Sequence, residues 1–259
     1  MKNLFIALFL FSSVQAISQD NYEIQVYGAP TQEKNTTILE LHSNFTINGQ
    51  KNIVDGVRPS NHALHETLEI THGFTDNFEI GFYLFTNYTS PYGYQFVGTH
   101  IRPRITAPEN WKLPFGLSLS AEIGYQRQEY SADTWDAEIR PIIDKQFGKL
   151  YTCFNPAFGI SLKGVSNNST PVFEPNIKID YQFLKHGSFG VEYYGSMGYI
   201  NQFYTNADQN NALFFTYDME GNDKWEFNIG AGFGLTPATD GFVLKTILGR
   251  RIDWKKKKK

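Results

Sequence analysis

The chain has 259 residues, of which 16% are aromatic (22 Phe and 15 Tyr among them) and 22 are glycine, a mixture that suits strands and tight turns better than helices. A mean hydropathy of -0.37 argues against a bundle of membrane helices, and the single cysteine, Cys153, excludes an intrachain disulfide framework and a cysteine-based zinc site. Of 23 basic residues, six are Lys2 and Lys255 to Lys259, leaving 17 against 26 acidic ones, so the body is acidic and nucleic acid is not an expected partner.

The N-terminus reads as a secretory signal. Lys2 supplies a positive start, Leu4 to Phe11 an apolar stretch, and Ser12, Ser13 and Val14-Gln15-Ala16 a small-residue cleavage site. The apolar stretch is too short to cross a bilayer as a helix, which takes roughly 20 residues. Residues 1–16 are assigned to this signal peptide. Residues 17–35 are expected to be an N-terminal periplasmic segment, with insertion into the following domain as the alternative.

From residue 36 onward the hydrophobic period is two. Trp225, Phe227, Ile229, Ala231, Phe233 and Leu235 alternate with polar residues or glycine, and so do Phe115, Leu117, Leu119, Ala121, Ile123 and Tyr125. A strand places each such set on one face, whereas a helix would scatter it. Counting runs of this kind predicts strands near 36–48, 62–73, 77–88, 94–106, 113–127, 133–146, 149–162, 172–184, 187–198, 211–219, 223–235 and 241–254. About twelve strands is an even number, as a closed single-chain bacterial barrel requires. The connections alternate too. Tight turns at 75–77, 147–149, 185–187 and 221–223 contrast with long polar segments at 49–61, 163–171 and 201–210, the asymmetry of outer-membrane barrels.

A soluble barrel also alternates, but it turns its apolar face inward. Here the polar face is rich in small residues (Ser118, Ser120, Gly190, Gly230, Gly232), too slight to coat a water-facing exterior. The ends of the apolar face carry Phe74, Trp111, Phe183, Trp225 and Trp254 on one side and Tyr88, Tyr125, Trp135 and Tyr199 on the other. Such girdles mark membrane interfaces. The expected fold is therefore an all-β, transmembrane, antiparallel up-and-down β-barrel of about twelve strands over residues 36–254, with a basic tail at 255–259, in the outer membrane of a Gram-negative cell. Its expected partners are outer-membrane lipid and lipopolysaccharide, the barrel-assembly machinery and small solutes.

The runs His65–Asp76, Glu138–Gly148, Asn155-Pro156, Phe173–Pro175, Gly190–Gly195 and Gly232–Asp240 resemble a largely uncharacterised family of bacterial outer-membrane β-barrels, more distantly similar to the outer-membrane proteins of the phenol-degradation MetA pathway. The resemblance covers most of residues 36–251 and implies the fold, the compartment and, more weakly, transport. It carries over no site residues. One departure is the C-terminus: such chains commonly end on an aromatic residue, whereas Trp254 is followed by five lysines.

Alternation sends a definite set of charges inward. The expected pore-lining residues are Glu40, His42, Glu69, Glu79, His100, Arg102, Arg104, Glu122, Glu138, Arg140, Glu174, Lys178, Asp180, Glu192, Glu226 and Lys245. Acidic residues predominate among all the inward charges, so a narrow passive channel for small neutral or cationic solutes is the expected function. A lumen filled by paired charges is the competing expectation, with Arg102, Arg104 and Arg140 as either constriction or plug. No enzyme activity is expected: Ser43 and His72 are an outward Ser/His pair on neighbouring strands, but they stand at different heights. The aromatic turn Tyr88–Tyr94 is a candidate surface-binding loop. No cofactor, phosphate-binding glycine loop or metal-ligand cluster is apparent from spacing.

Overall fold

In a computed structural model, residues 21–166, 169–222 and 224–254 are described, so the signal sequence, the lysine tail and the expected turn residue 223 lie outside them. The strands are β1 (Thr36–Asn48), β2 (Leu64–Thr75), β3 (Phe78–Thr89), β4 (Gly93–Thr106), β5 (Gly116–Gln126), β6 (Asp133–Phe147), β7 (Leu150–Gly164), β8 (Val172–Leu184), β9 (Gly187–Ser196), β12 (Asn210–Asn222), β13 (Trp225–Gly234) and β14 (Phe242–Asp253). Two short strands, β10 (Gly198–Tyr199) and β11 (Gln202–Phe203), form a ribbon in the loop after β9.

Each long strand pairs antiparallel with the next, β9 with β12, and β14 returns to β1 from Thr36↔Asp253 to Asn48↔Phe242. The sheet closes as a twelve-stranded barrel, so each of the twelve long strands finds partners on both sides. One predicted strand end shifts for a visible reason. The expected run 187–198 stops at Ser196, because the chain turns at Gly198 (φ 103) and Gly198 and Tyr199 pair instead with Phe173 and Val172 of β8.

Burial follows the alternation. Phe82, Leu84, Ile101, Leu119, Ile123, Ile139 and Ile143 are exposed on the outer wall, while Glu69, Glu79, Arg102 and Lys245 are buried inside. An exterior of this kind suits hydrocarbon and not water, which makes the barrel membrane-spanning. Phe74, Trp111, Phe183 and Trp254 are exposed toward one rim, and the Trp254 indole donates to Thr37 Oγ1 (2.8 Å). The rim they mark has the tight turns 76–77, 148–149 and 185–186. The other rim carries the longer connections 49–63, 165–171 and 197–209, although residues 107–115, with a short 3-10 turn at Glu109–Trp111, are an exception on the tight side.

Glycines on the inner face are there for room. A side chain on Gly232 would collide with the Phe214 ring, and one on Gly124 with the ring of His100. Small residues at these positions let large neighbours lie across them.

Candidate functional site: the barrel lumen and the segment within it

Residues 21–34 stand inside the barrel, which corrects the expectation of a periplasmic segment. Tyr22, Ile24, Val26, Tyr27 and Ala29 are all buried. The segment makes no sheet pairing, so its main-chain groups need partners from elsewhere. Inward side chains supply them. Asn44 donates to Asn21 O (2.8 Å), Thr67 to Tyr22 O (2.7 Å) and Lys245 to Ile24 O (3.1 Å). Asn155 both accepts from Tyr27 N (2.9 Å) and donates to Tyr27 O (3.0 Å), and Cys153 Sγ donates to the same carbonyl. Asp144 accepts from Ala29 N (2.8 Å), and Glu79 accepts from Gln32 N (2.6 Å). Arg104 donates to Gly28 O and Pro30 O, and Pro30 itself has no N–H to satisfy.

The segment runs the height of the barrel. Asn21 Nδ2 donates to Asp240, in the connection between β13 and β14 on the long-loop rim (3.0 Å). Thr31 and Lys34 bond to Asp76 in the turn between β2 and β3 on the tight-turn rim.

Every residue expected to line a pore projects into this interior, but few meet open space. Arg102 pairs with Glu69 (2.7 Å) and Glu79 (3.5 Å), and Arg104 with Glu79 (2.7 Å). Arg140 pairs with Glu138 (2.7 Å), His100 with Glu122, and Arg251 with Glu226. Lys178 is surrounded by Asp180 (3.2 Å), Glu192 (3.1 Å) and Asp218 (2.9 Å), and Glu192 also bonds Lys245. Glu174 lies on β8 beside Gly159 of β7. Such pairing is what makes buried charge tolerable at all.

Arg102, Arg104 and Arg140 converge on a group that spacing alone did not expose, the ring of Tyr27. Their guanidinium carbons lie 4.4, 5.8 and 5.1 Å from its centroid, and the Tyr27 hydroxyl meets that of Tyr83 (3.2 Å). The arginine cluster is therefore an aromatic seat for the internal segment. The sequence signal for it was thin: Tyr22, Ile24 and Val26 alternate for three positions only, followed by Gly28-Ala29-Pro30, small residues where the segment passes close to the wall.

Open volume remains toward the tight-turn rim. A cavity of about 160 Å³ lies between the segment (Gln25, Tyr27, Gln32) and the wall (Glu40, Glu69, Arg102, Glu226). Beside it the fold gathers Glu40, His42 and Glu69, whose ligand-type atoms lie within 4.8 Å of one another, and a second set, Glu23, His100 and Glu122, forms farther along the lumen. Spacing along the sequence does not show these groupings, for a topological reason. Strand pairing sets Glu40 opposite Glu69 across 29 positions of sequence, and spacing along one strand cannot show that.

Ser43 and His72 are not a pair. His72 Nδ1 bonds Thr37 Oγ1 (2.8 Å), six residues before Ser43 on β1, which corresponds to roughly 20 Å of strand. At the long-loop rim, Arg58 stacks on Tyr92 (3.9 Å) and donates to Tyr130 (2.7 Å), while Tyr88 and Tyr94 pack together. Arg127 donates to Glu129 there and holds that exposed carboxyl below its usual range.

Solved structures share this architecture. The COG4313 outer membrane channel from Pseudomonas putida F1 superposes with a TM-score of 0.59 at 13% identity, over 89% of this chain and all of that one. A KdgM porin gives 0.54 at 12% identity over 82% of this chain and 98% of its own, and a NanC porin 0.53 at 9% over 82% and 97%. The chain has the fold of these porins and channels. No protein-family model and no curated protein matches the sequence, so the resemblance to the MetA-pathway proteins stands on the quoted residues alone.

Proposed function

We propose that the chain is a bacterial outer-membrane barrel and a narrow passive channel for small neutral or cationic solutes, restricted by its own residues 21–34. The long loops then face the exterior and the tight turns the periplasm, with membrane lipid and lipopolysaccharide around the wall and the barrel-assembly machinery as its route in. The barrel fold shared with porins and channels supports a transport role, and the outward pair Ser43 and His72 stands apart along the wall. The observation that carries the reading is the nature of the internal contacts. The segment is held largely by hydrogen bonds from side chains, each exchangeable with water, rather than by continuation of the sheet. Acidic groups are prominent around the remaining cavity (Glu40, Glu69, Glu79, Glu226), and even with Arg102, Arg104 and Arg251 among them they favour cations over anions.

A second reading, a closed structural or surface-binding barrel, is favoured by how completely the segment fills the lumen. Planar-bilayer recordings on refolded protein in a salt gradient separate the two. The channel reading expects small cation-selective conductance from the intact chain and larger conductance from a chain lacking residues 21–33. Silence from both, with folding verified, establishes the closed barrel instead. Anion selectivity removes the solute preference.

A further inference from the structure

We infer that Glu40, His42 and Glu69 form a binding site for one divalent transition-metal ion of the Zn2+ class, built into the inner wall where β1 meets β2. The inference is independent of whether the barrel conducts.

Two carboxylates stand in an unfavourable place on the inner wall. Glu40 and Glu69 are directly opposed in the β1–β2 register, and both side chains are buried. Like charges facing each other across a strand pair are destabilising, and a buried carboxylate must be neutralised by a cation or by a proton. Glu69 has a cation in Arg102, which holds its Oε1 at 2.7 Å. Glu40 makes no ion pair with a cationic side chain among the described residues, and its carboxylate neighbours include Glu226 as well as Glu69.

His42 is the second observation. Its side chain is fully buried, and neither ring nitrogen has a hydrogen-bond partner. Glu69 Oε2 is likewise without one, although His42 Nε2 lies only 3.4 Å away. The two atoms are close without the alignment of a hydrogen bond. A separation of about 3.3 Å is the edge of a tetrahedron with metal–ligand bonds of roughly 2.0–2.1 Å, the range for imidazole nitrogen and carboxylate oxygen on zinc. The Arg102–Glu69 contact then acts as an outer-sphere anchor: it fixes one carboxylate oxygen and leaves the other toward the ion. One imidazole with two carboxylates suits a borderline ion, since imidazole selects zinc-like metals over magnesium and calcium. Access is through the cavity that Glu40 and Glu69 themselves line, which also holds Gln25, whose Oε1 has no partner.

The test uses the full mature chain refolded in detergent, stripped with a chelator and titrated with Zn2+ by calorimetry and with Co2+ by visible absorption. One equivalent should bind, with X-ray absorption on the Zn2+ form reporting a single imidazole among oxygen ligands. His42→Ala and Glu40→Gln should each weaken binding by about tenfold or more, whereas His100→Gln, in the other cluster, should leave it intact. Gel mobility with and without heating verifies that each variant is a folded barrel. Should a variant misfold, the wild-type absorption spectrum still decides the ligand set. Absence of a one-to-one binding event, two or more imidazoles on the metal, or unaltered affinity in folded His42→Ala overturns the assignment.

Discussion

Replacing Asn155 by alanine should loosen the internal segment while leaving the wall in place. Asn155 is fully buried on β7, and its amide is the partner of Tyr27 N and one of two donors to Tyr27 O. Truncation leaves the N–H with no acceptor and the carbonyl with only the thiol of Cys153. An orphaned buried donor costs about 1–3 kcal/mol, so the equilibrium for release of the segment should move roughly 5- to 150-fold toward the undocked form. The strand pairing of β7 with β6 and β8 uses main-chain groups and is untouched. Hydrogen–deuterium exchange in detergent measures this directly: amides within 21–34 should exchange faster by that factor, and those of β1 at the wild-type rate. Unchanged exchange at Tyr27 and Ala29 in folded protein would refute the view that side-chain hydrogen bonds hold the segment. Equal acceleration in β1 would show that Asn155 supports the barrel itself.

Glu192→Gln should be among the most destabilising changes in the lumen, by about 3–5 kcal/mol, because it leaves buried Lys245 without its anion and weakens the set around Lys178. The midpoint of urea unfolding followed by tryptophan fluorescence reads this, and Glu192→Leu combined with Lys245→Met should recover part of the loss. On the opposite face, Ile139→Arg puts a charge near the middle of β6 on an exposed apolar position and should cost about 2–4 kcal/mol in lipid. The same substitution should have a much smaller effect on any water-facing surface, so a shift below the measurement error in liposome refolding would contradict the lipid-facing assignment.

Much of the wall was legible because a single period governs it. β1 and β8 begin and end at the predicted residues, and most other strands lie within a few positions of expectation. The inward and outward sets are fixed together by the same period, so Glu122 and Ile123 could not both be misplaced without shifting the whole strand. What period two could not reveal is what the inward groups face across the lumen. Tyr27 and Asn155 meet over 128 positions of sequence, and Arg104 reaches the Gly28 carbonyl over 76. Neither contact leaves a trace in local spacing. The segment 21–34 was ambiguous for the same reason: an extended chain whose partners are mostly side chains has no pattern of its own to match a sheet. Expecting the charges to line an empty bore and expecting them to fill it were equally consistent with the alternation.

The closing seam of the barrel adds a constraint on how the molecule is made. Lys245 on β14 and Asn44 on β1 are partners in the strand register, and each also grips the internal segment, at Ile24 and at Asn21. The two strands that must zip together last are thus also clasps on the threaded chain. If the seam forms with the segment outside, a peptide about fourteen residues long must later be drawn through a finished cylinder, past the guanidinium groups gathered at its middle. Assembly is simpler when the segment lies in the nascent trough first and the final two strands fasten around it, so that the lumen is filled before the barrel exists as a tube.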